Sequence, residues 1–185
     1  MIRDLRVDHH NILRVLRLLK RSLDNMDGKT DSKEFERARE CIKYLCEYPD
    51  HVHHPREDLM FEMLLNREPS VEEKVGNLHR EHVDLYTRSK QLHSAMETAE
   101  KGLSVALEVL HQQASGFSDM QISHMRHEEL TVFPLIEQKL TLNDWKAIIA
   151  KAPADKDPVF TDHSSKENST DYQVLTKYFR KERVG

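Results

Sequence analysis

The sequence predicts an all-α protein, a bundle of four long helices followed by a tail with one short amphipathic helix. Three observations predict it. Apolar residues recur at alternating steps of three and four along four separate stretches, the rhythm of a helix face buried in a bundle. Clusters of turn-forming residues separate the stretches. Four of the twelve histidines, moreover, fall in slots of those apolar seams that a leucine would ordinarily fill.

The first stretch keeps Ile2, Leu5, His9, Ile12, Leu16, Leu19 and Leu23 on one face and stops at the turn cluster Asp24-Asn25-Met26-Asp27-Gly28. The second opens with Asp31 and Glu34 as a capping pair and runs to about residue 65, carrying Ile42, Cys46, His53, Glu57, Met60 and Leu64. Pro49 and Pro55 each remove a backbone hydrogen bond to the residue four before, which predicts a bend close to His53. Pro69 and the box Ser70-Val71-Glu72-Glu73 open the third helix, with Val71, Val75, Leu78, His82, Leu85, Ser89, Leu92 and Met96 on its seam. Residues 98–102 join it to the fourth, which keeps Leu103, Leu107, Leu110, Ala114, Phe117, Gln121, His124, Glu128, Thr131 and Leu135 and continues to about residue 140.

Beyond it, Leu142-Asn143-Asp144-Trp145 reads as a short helical return, and residues 153–170 are polar and turn-rich. Tyr172, Leu175, Tyr178 and Phe179 have helical spacing and suit a small helix covering one end of the core or a contact in a homodimer. The division this implies is a metal-binding bundle over residues 1–145 and a tail over 146–185.

Composition narrows the functions. At 185 residues the chain is long enough for one domain with a sizeable core. A net charge of -4, a pI near 6.3 and no basic stripe interleaved with aromatics argue against a nucleic-acid partner. No window approaches the ~18 apolar residues of a membrane span, and the first residues lack the apolar stretch of a secretory signal, so the expected location is the cytosol. Cys41 and Cys46, five apart on one helix, point in different directions and are expected to be reduced.

The chemistry lies in the polar seam residues. His53-His54-Pro55-Arg56-Glu57-Asp58-Leu59 and His124-Met125-Arg126-His127-Glu128-Glu129-Leu130 share one pattern, an imidazole followed four residues later by a carboxylate. That step puts both groups one turn apart on one helix face. With one seam histidine from each of the other two helices, the set is His9, His53, Glu57, His82, His124 and Glu128. Buried without partners, each such group costs roughly 1–3 kcal/mol; bound to metal, none does. Imidazole and carboxylate without thiolate suit iron, manganese or zinc, and four His with two Glu suffice for two ions.

His79, three residues before His82, is a candidate fifth imidazole. His10, His54 and His127 neighbour ligands and are expected to face solvent or to orient ligands from outside. His51, His93, His111 and His163 are assigned to the surface, and Glu129 and Glu62 are further carboxylates near the site. Two other metal architectures find no support. The Glu-x-x-His pairs of ferritin-like di-iron bundles reduce here to Glu108–His111, which lies beside the seam, and the His-Glu-x-x-His of zinc proteases is absent.

These residues resemble the hemerythrin-like, or HHE cation-binding, domain proteins. The resemblance rests on Asp8-His9 and Ile12, on the run from His53 to Phe61, on Glu81-His82, and on His124 with Glu128-Glu129 leading into Val132-Phe133-Pro134. It implies an up-down-up-down four-helix bundle holding a non-haem di-iron centre. Glu57 and Glu128 would bridge two irons together with an oxo or hydroxo group, and His9, His53, His82 and His124 would be terminal ligands; manganese and zinc rank below iron. The chemistry implied is binding, sensing or reaction with dioxygen, peroxide or nitric oxide.

Oxygen carriers of the family have a further histidine four residues before the third-helix ligand and a His-to-Asp spacing of five on the fourth helix. Here the first position is Leu78 and the second pair is four apart with Glu128. The ligand set is more similar to iron-centre repair and iron-sensing members. The sequence opens directly on the first helix without the cysteine-bearing module of many repair members, which ranks iron donation for repair or homeostasis second.

Overall fold

A computed structural model describes residues 1–26, 32–101, 107–161 and 170–182, and among them there is no strand. Four rods form the bundle. The first is α1 (Ile2–Asp24). The second joins α2 (Lys33–Tyr48) through a π-helical turn, Pro49–His53, to α3 (His54–Arg67). A 3₁₀ turn (Pro69–Val71) and the one-turn α4 (Glu72–Val75) lead into the third rod, α5 (Leu78–Glu100). The fourth runs from α6 (Leu107–His127) through a second π-helical turn, Glu128–Val132, to α7 (Phe133–Lys139). After these come α8 (Leu142–Lys151) and α9 (Gln173–Glu182).

Ion pairs fix the directions. Arg6 near the start of α1 meets Glu137 near the end of α7, and His111 near the start of α6 lies 3.7 Å from Asp24 at the end of α1. Arg39 early in α2 pairs with Glu100, the last residue of α5. With α1 packed on α2 and α6, and α5 on the same two, neighbouring rods run antiparallel, as in an up-down-up-down bundle.

The helix starts differ from those expected. The second rod is capped by Ser32, whose hydroxyl accepts from the Phe35 amide at 3.2 Å; Asp31 lies outside the described residues. The third does not run straight from its capping box, because the chain turns at Gly76-Asn77 and α5 starts at Leu78. Val71 and Val75 are nevertheless buried. Leu103 also lies outside the described residues.

The bend expected near His53 takes the form of a wide turn, in which the His54 amide bonds back five residues to the Pro49 carbonyl. The second wide turn repeats this, with the Phe133 amide bonding to the Glu128 carbonyl. In both cases a proline comes one residue later, Pro55 and Pro134. Its ring would collide with the carbonyl four residues back in a regular helix, and the extra residue in the turn makes room. That extra residue also rotates the rest of the rod: beyond Glu128 the core takes Val132, Phe133, Ile136 and Leu140 in place of the expected Thr131 and Leu135.

Two apolar clusters result. One gathers Leu16, Leu19, Leu23, Phe35, Leu92 and Phe117 at the end where α1 turns into α2. The other gathers Leu5, Met60, Leu64, Leu78, Phe133 and Ile136 at the opposite end. Between them lies a layer of buried imidazoles and carboxylates.

The tail packs on the first cluster. The buried Asp157 carboxylate accepts from the Tyr44 hydroxyl at 2.9 Å, from Asn11 at 3.3 Å and from the Val159 and Phe160 amides. Glu40 accepts from the Val174 and Leu175 amides at the start of α9, whose Leu175 and Phe179 are buried together with Tyr172. The aromatic stripe thus faces the bundle. A boundary at 145/146 falls inside α8, which begins with a capping box between Thr141 and Asp144. Cys41 and Cys46 are buried and free.

Candidate metal centre

All six seam residues expected to bind metal meet in the central layer. His9, His53, Glu57, His82, His124 and Glu128 are each at most 5% exposed. The Glu57 carboxylate spans the layer: Oε1 lies 3.2 Å from the Nε2 atoms of both His9 and His53, and Oε2 lies 3.6 Å from Nε2 of His82. Glu128 spans it in the same sense, with Oε2 3.3 Å from His9 Nε2, and Oε1 3.0 Å and 3.6 Å from the Nε2 atoms of His124 and His82. Each carboxylate therefore turns one oxygen toward His9 and the other toward His82.

The other ring nitrogens obey one rule around the bundle. His53 sets Nδ1 against Asp8 (3.5 Å), His82 against Asp58 (2.9 Å), His124 against Glu81 (2.8 Å) and His9 against Glu129 (2.9 Å). Every one of these acids is the sequence neighbour of a seam ligand on the adjacent rod. Asp8 beside His9 serves the second rod, Asp58 beside Glu57 the third, Glu81 beside His82 the fourth, and Glu129 beside Glu128 the first. A carboxylate on Nδ1 fixes the tautomer and leaves the Nε2 lone pair facing inward, the arrangement that orients imidazoles on a metal. From the sequence, Asp8, Asp58 and Glu81 stand out only as parts of the motifs and Glu129 alone as a carboxylate near the site, although acid-ligand doublets on every rod were the available signal.

The inward atoms satisfy one another only in part. Glu57 Oε2, both oxygens of Glu128, and Nε2 of His53 and His54 are buried without a hydrogen-bond partner, and the Nε2 atoms of His82 and His124 face each other at 3.0 Å. Inward lone pairs on nitrogen and oxygen repel unless a cation or protons lie among them, so the donor set fits a metal. His54, expected to point away, is buried with them: a ring nitrogen of His54 groups with atoms of Glu57, His82 and His124, all within 4.8 Å of one another, as do His9, His53 and Glu57.

His79 does not join the layer. Its side chain is 78% exposed and lies 3.2 Å from Asp58, on the outer side of His82. His10, His51 and Glu62 are exposed, His93, His111 and His127 are half-buried, and His163 lies outside the described residues.

Without metal, protons occupy the layer. Burial opposes charge on His9, but the close carboxylates of Glu128 and Glu57 outweigh it and hold the ring up at about 11. His82 and His124 are likewise held up against burial, at about 10 and about 9, by Asp58 with Glu128 and by Glu128 with Glu81 respectively. Burial and the neighbouring Glu128 charge lift Glu57 to about 7, whereas the surrounding imidazoles keep Glu128 well below the usual carboxylate range despite its burial. Burial drives His53 and His54 well below the ordinary imidazole value.

An antiparallel helix bundle whose interior presents converging imidazoles and carboxylates, each imidazole backed by an outer acid, is a cation-binding bundle. A family model described as the Hemerythrin HHE cation binding domain matches residues 1–136, and the chain belongs to that family. Searches of curated proteins and of solved structures match nothing to it. Among the described residues no helix is long and apolar enough to cross a membrane.

Proposed function

We propose that this is a non-haem di-iron protein whose centre binds, senses or reacts with dioxygen, peroxide or nitric oxide. The observation that carries the reading is the placement of Glu57 and Glu128, each with one oxygen toward His9 and the other toward His82. Two carboxylates so turned suit a pair of cations better than one. Iron held there supplies Lewis acidity and one-electron chemistry. The chain's own residues do the rest: the outer acids hold the rings in register, Glu57 and Glu128 supply negative charge, and the apolar clusters on either side keep bulk water from the layer.

The test is metal content by mass spectrometry on protein purified without a tag, paired with optical spectra before and after peroxide and nitric oxide. About two irons per chain and an absorption band that responds to either reagent are expected, with both lost in His53→Ala and Glu128→Ala. Metal content unchanged by these substitutions would overturn the proposal. Iron that gives no response but passes to an apo acceptor would establish the donor reading instead.

A further inference from the structure

We propose that His54 is a fifth imidazole ligand, placing three rings on the His82 side of the carboxylate pair and two on the His9 side. The inference rests on the di-iron reading above and deepens it. Its basis is geometric. His54 is 4% exposed, its ring stacks on His82 with centroids 4.3 Å apart and planes 16° apart, and it meets His124 edge-on at 5.9 Å. One of its nitrogens belongs to the tight group with Glu57, His82 and His124.

The two ring nitrogens differ in the same way as those of the other four. Nδ1 lies 3.4 Å from Asp50, an acid whose side chain is 5% exposed and which also accepts from the Ser89 hydroxyl at 3.2 Å. Nε2 is buried with no partner. An imidazole kept only as a spacer would leave that lone pair buried and uncompensated, where a leucine would serve better. The acid behind His54 comes from its own rod, four residues earlier, and so stands outside the ring of acids that serves the other four.

The two consecutive histidines end and follow the wide turn at Pro49–His53, and both rings are buried. His53 falls on the side of the rod toward α1, 4.8 Å from His9 between ring centroids, and His54 on the side toward α5. With three imidazoles on one side and two on the other, the two sides are unequal, and the His9–His53 side keeps the greater freedom to take an external ligand.

The experiment is proton NMR of protein loaded anaerobically with ferrous iron, counting exchangeable hyperfine-shifted lines from ring N–H groups with ¹⁵N-histidine labelling. The wild type should give five. His54→Leu should lose one and keep four, and Asp50→Asn should move that same line while leaving the rest. Four lines in the wild type, or none lost in His54→Leu, would overturn the fifth-ligand assignment and leave the di-iron reading standing. No shifted line at all in the wild type would overturn both. Should His54→Leu fail to fold, the wild-type count and the Asp50→Asn shift decide alone.

Discussion

At the scale of single residues, cations and protons compete for one set of lone pairs. His9, His82 and His124 are held up at about 11, 10 and 9 in the metal-free protein, so all three carry an extra proton at neutral pH. A metal must displace them. Loading at pH 7.5 should therefore release about three protons per chain, measurable by titration calorimetry in buffers of different ionisation enthalpy; release near zero would mean the rings are neutral beforehand.

The same shifts set a stability trend. A group whose folded pKa is raised contributes fully below its unfolded value and loses that contribution as pH rises through the folded one. For the three imidazoles the loss runs from about pH 6.5 up to about 11, and Glu57, lifted to about 7, adds in the same direction at the lower end. The metal-free melting temperature should fall across that interval, while that of the loaded protein, whose rings are neutral ligands, holds. Parallel curves would contradict this.

The six seam residues were legible as a set because a polar residue in an apolar slot is costly, and six such costs have one common remedy. His54 was not, since a step of one residue leaves a 3.6-residue face. Its ring reaches the layer from the α5 side of the rod while His53 reaches it from the α1 side, and Asp50 four residues before His54 was the sign that sequence offered.

At the scale of elements, the wide turns decide which residues reach the core. Between Glu128 and Val132 the extra residue moves burial from Thr131 and Leu135 to Val132 and Ile136. Deleting Thr131 should remove the extra residue and leave Val132, Phe133 and Ile136 facing the second apolar cluster, but it returns the Pro134 ring to the carbonyl four residues back and should cost about 3 kcal/mol, most of it recovered when Pro134→Ala is added. Thr131→Ala, which changes no register, should stay within about 0.5 kcal/mol of wild type. Circular dichroism melts of these variants decide it; a deletion variant as stable as the wild type with Pro134 in place would refute the argument that the extra residue makes room for the proline. Heptad spacing made the four rods readable, but proline near a ligand reads equally as a bend or a bulge, and backbone hydrogen bonding alone distinguishes them.

At the scale of the whole molecule, the residues matched to the family are fewer than those packed together. The match ends at residue 136, yet Asp157 accepts from Tyr44 and Asn11 within the bundle, and Leu175 is fully buried on it. Leu175→Ala should cost about 3 kcal/mol in urea unfolding while leaving iron stoichiometry unchanged, because α9 touches the apolar cluster and not the polar layer. A loss below about 0.5 kcal/mol would mean that the helix rests on the bundle without supporting it. This packing was only partly legible: the stripe of Tyr172, Leu175 and Phe179 announced a buried face, whereas one aspartate in a polar stretch announced nothing.

The ring of outer acids works as an interlock. Each rod holds the imidazole of the next, and the fourth holds that of the first. A rod that swings away takes its own imidazole with it and also unlatches its neighbour's, so failure spreads in both directions. Because the four contacts close into a ring around the bundle, the imidazole layer is expected to order or loosen as one unit.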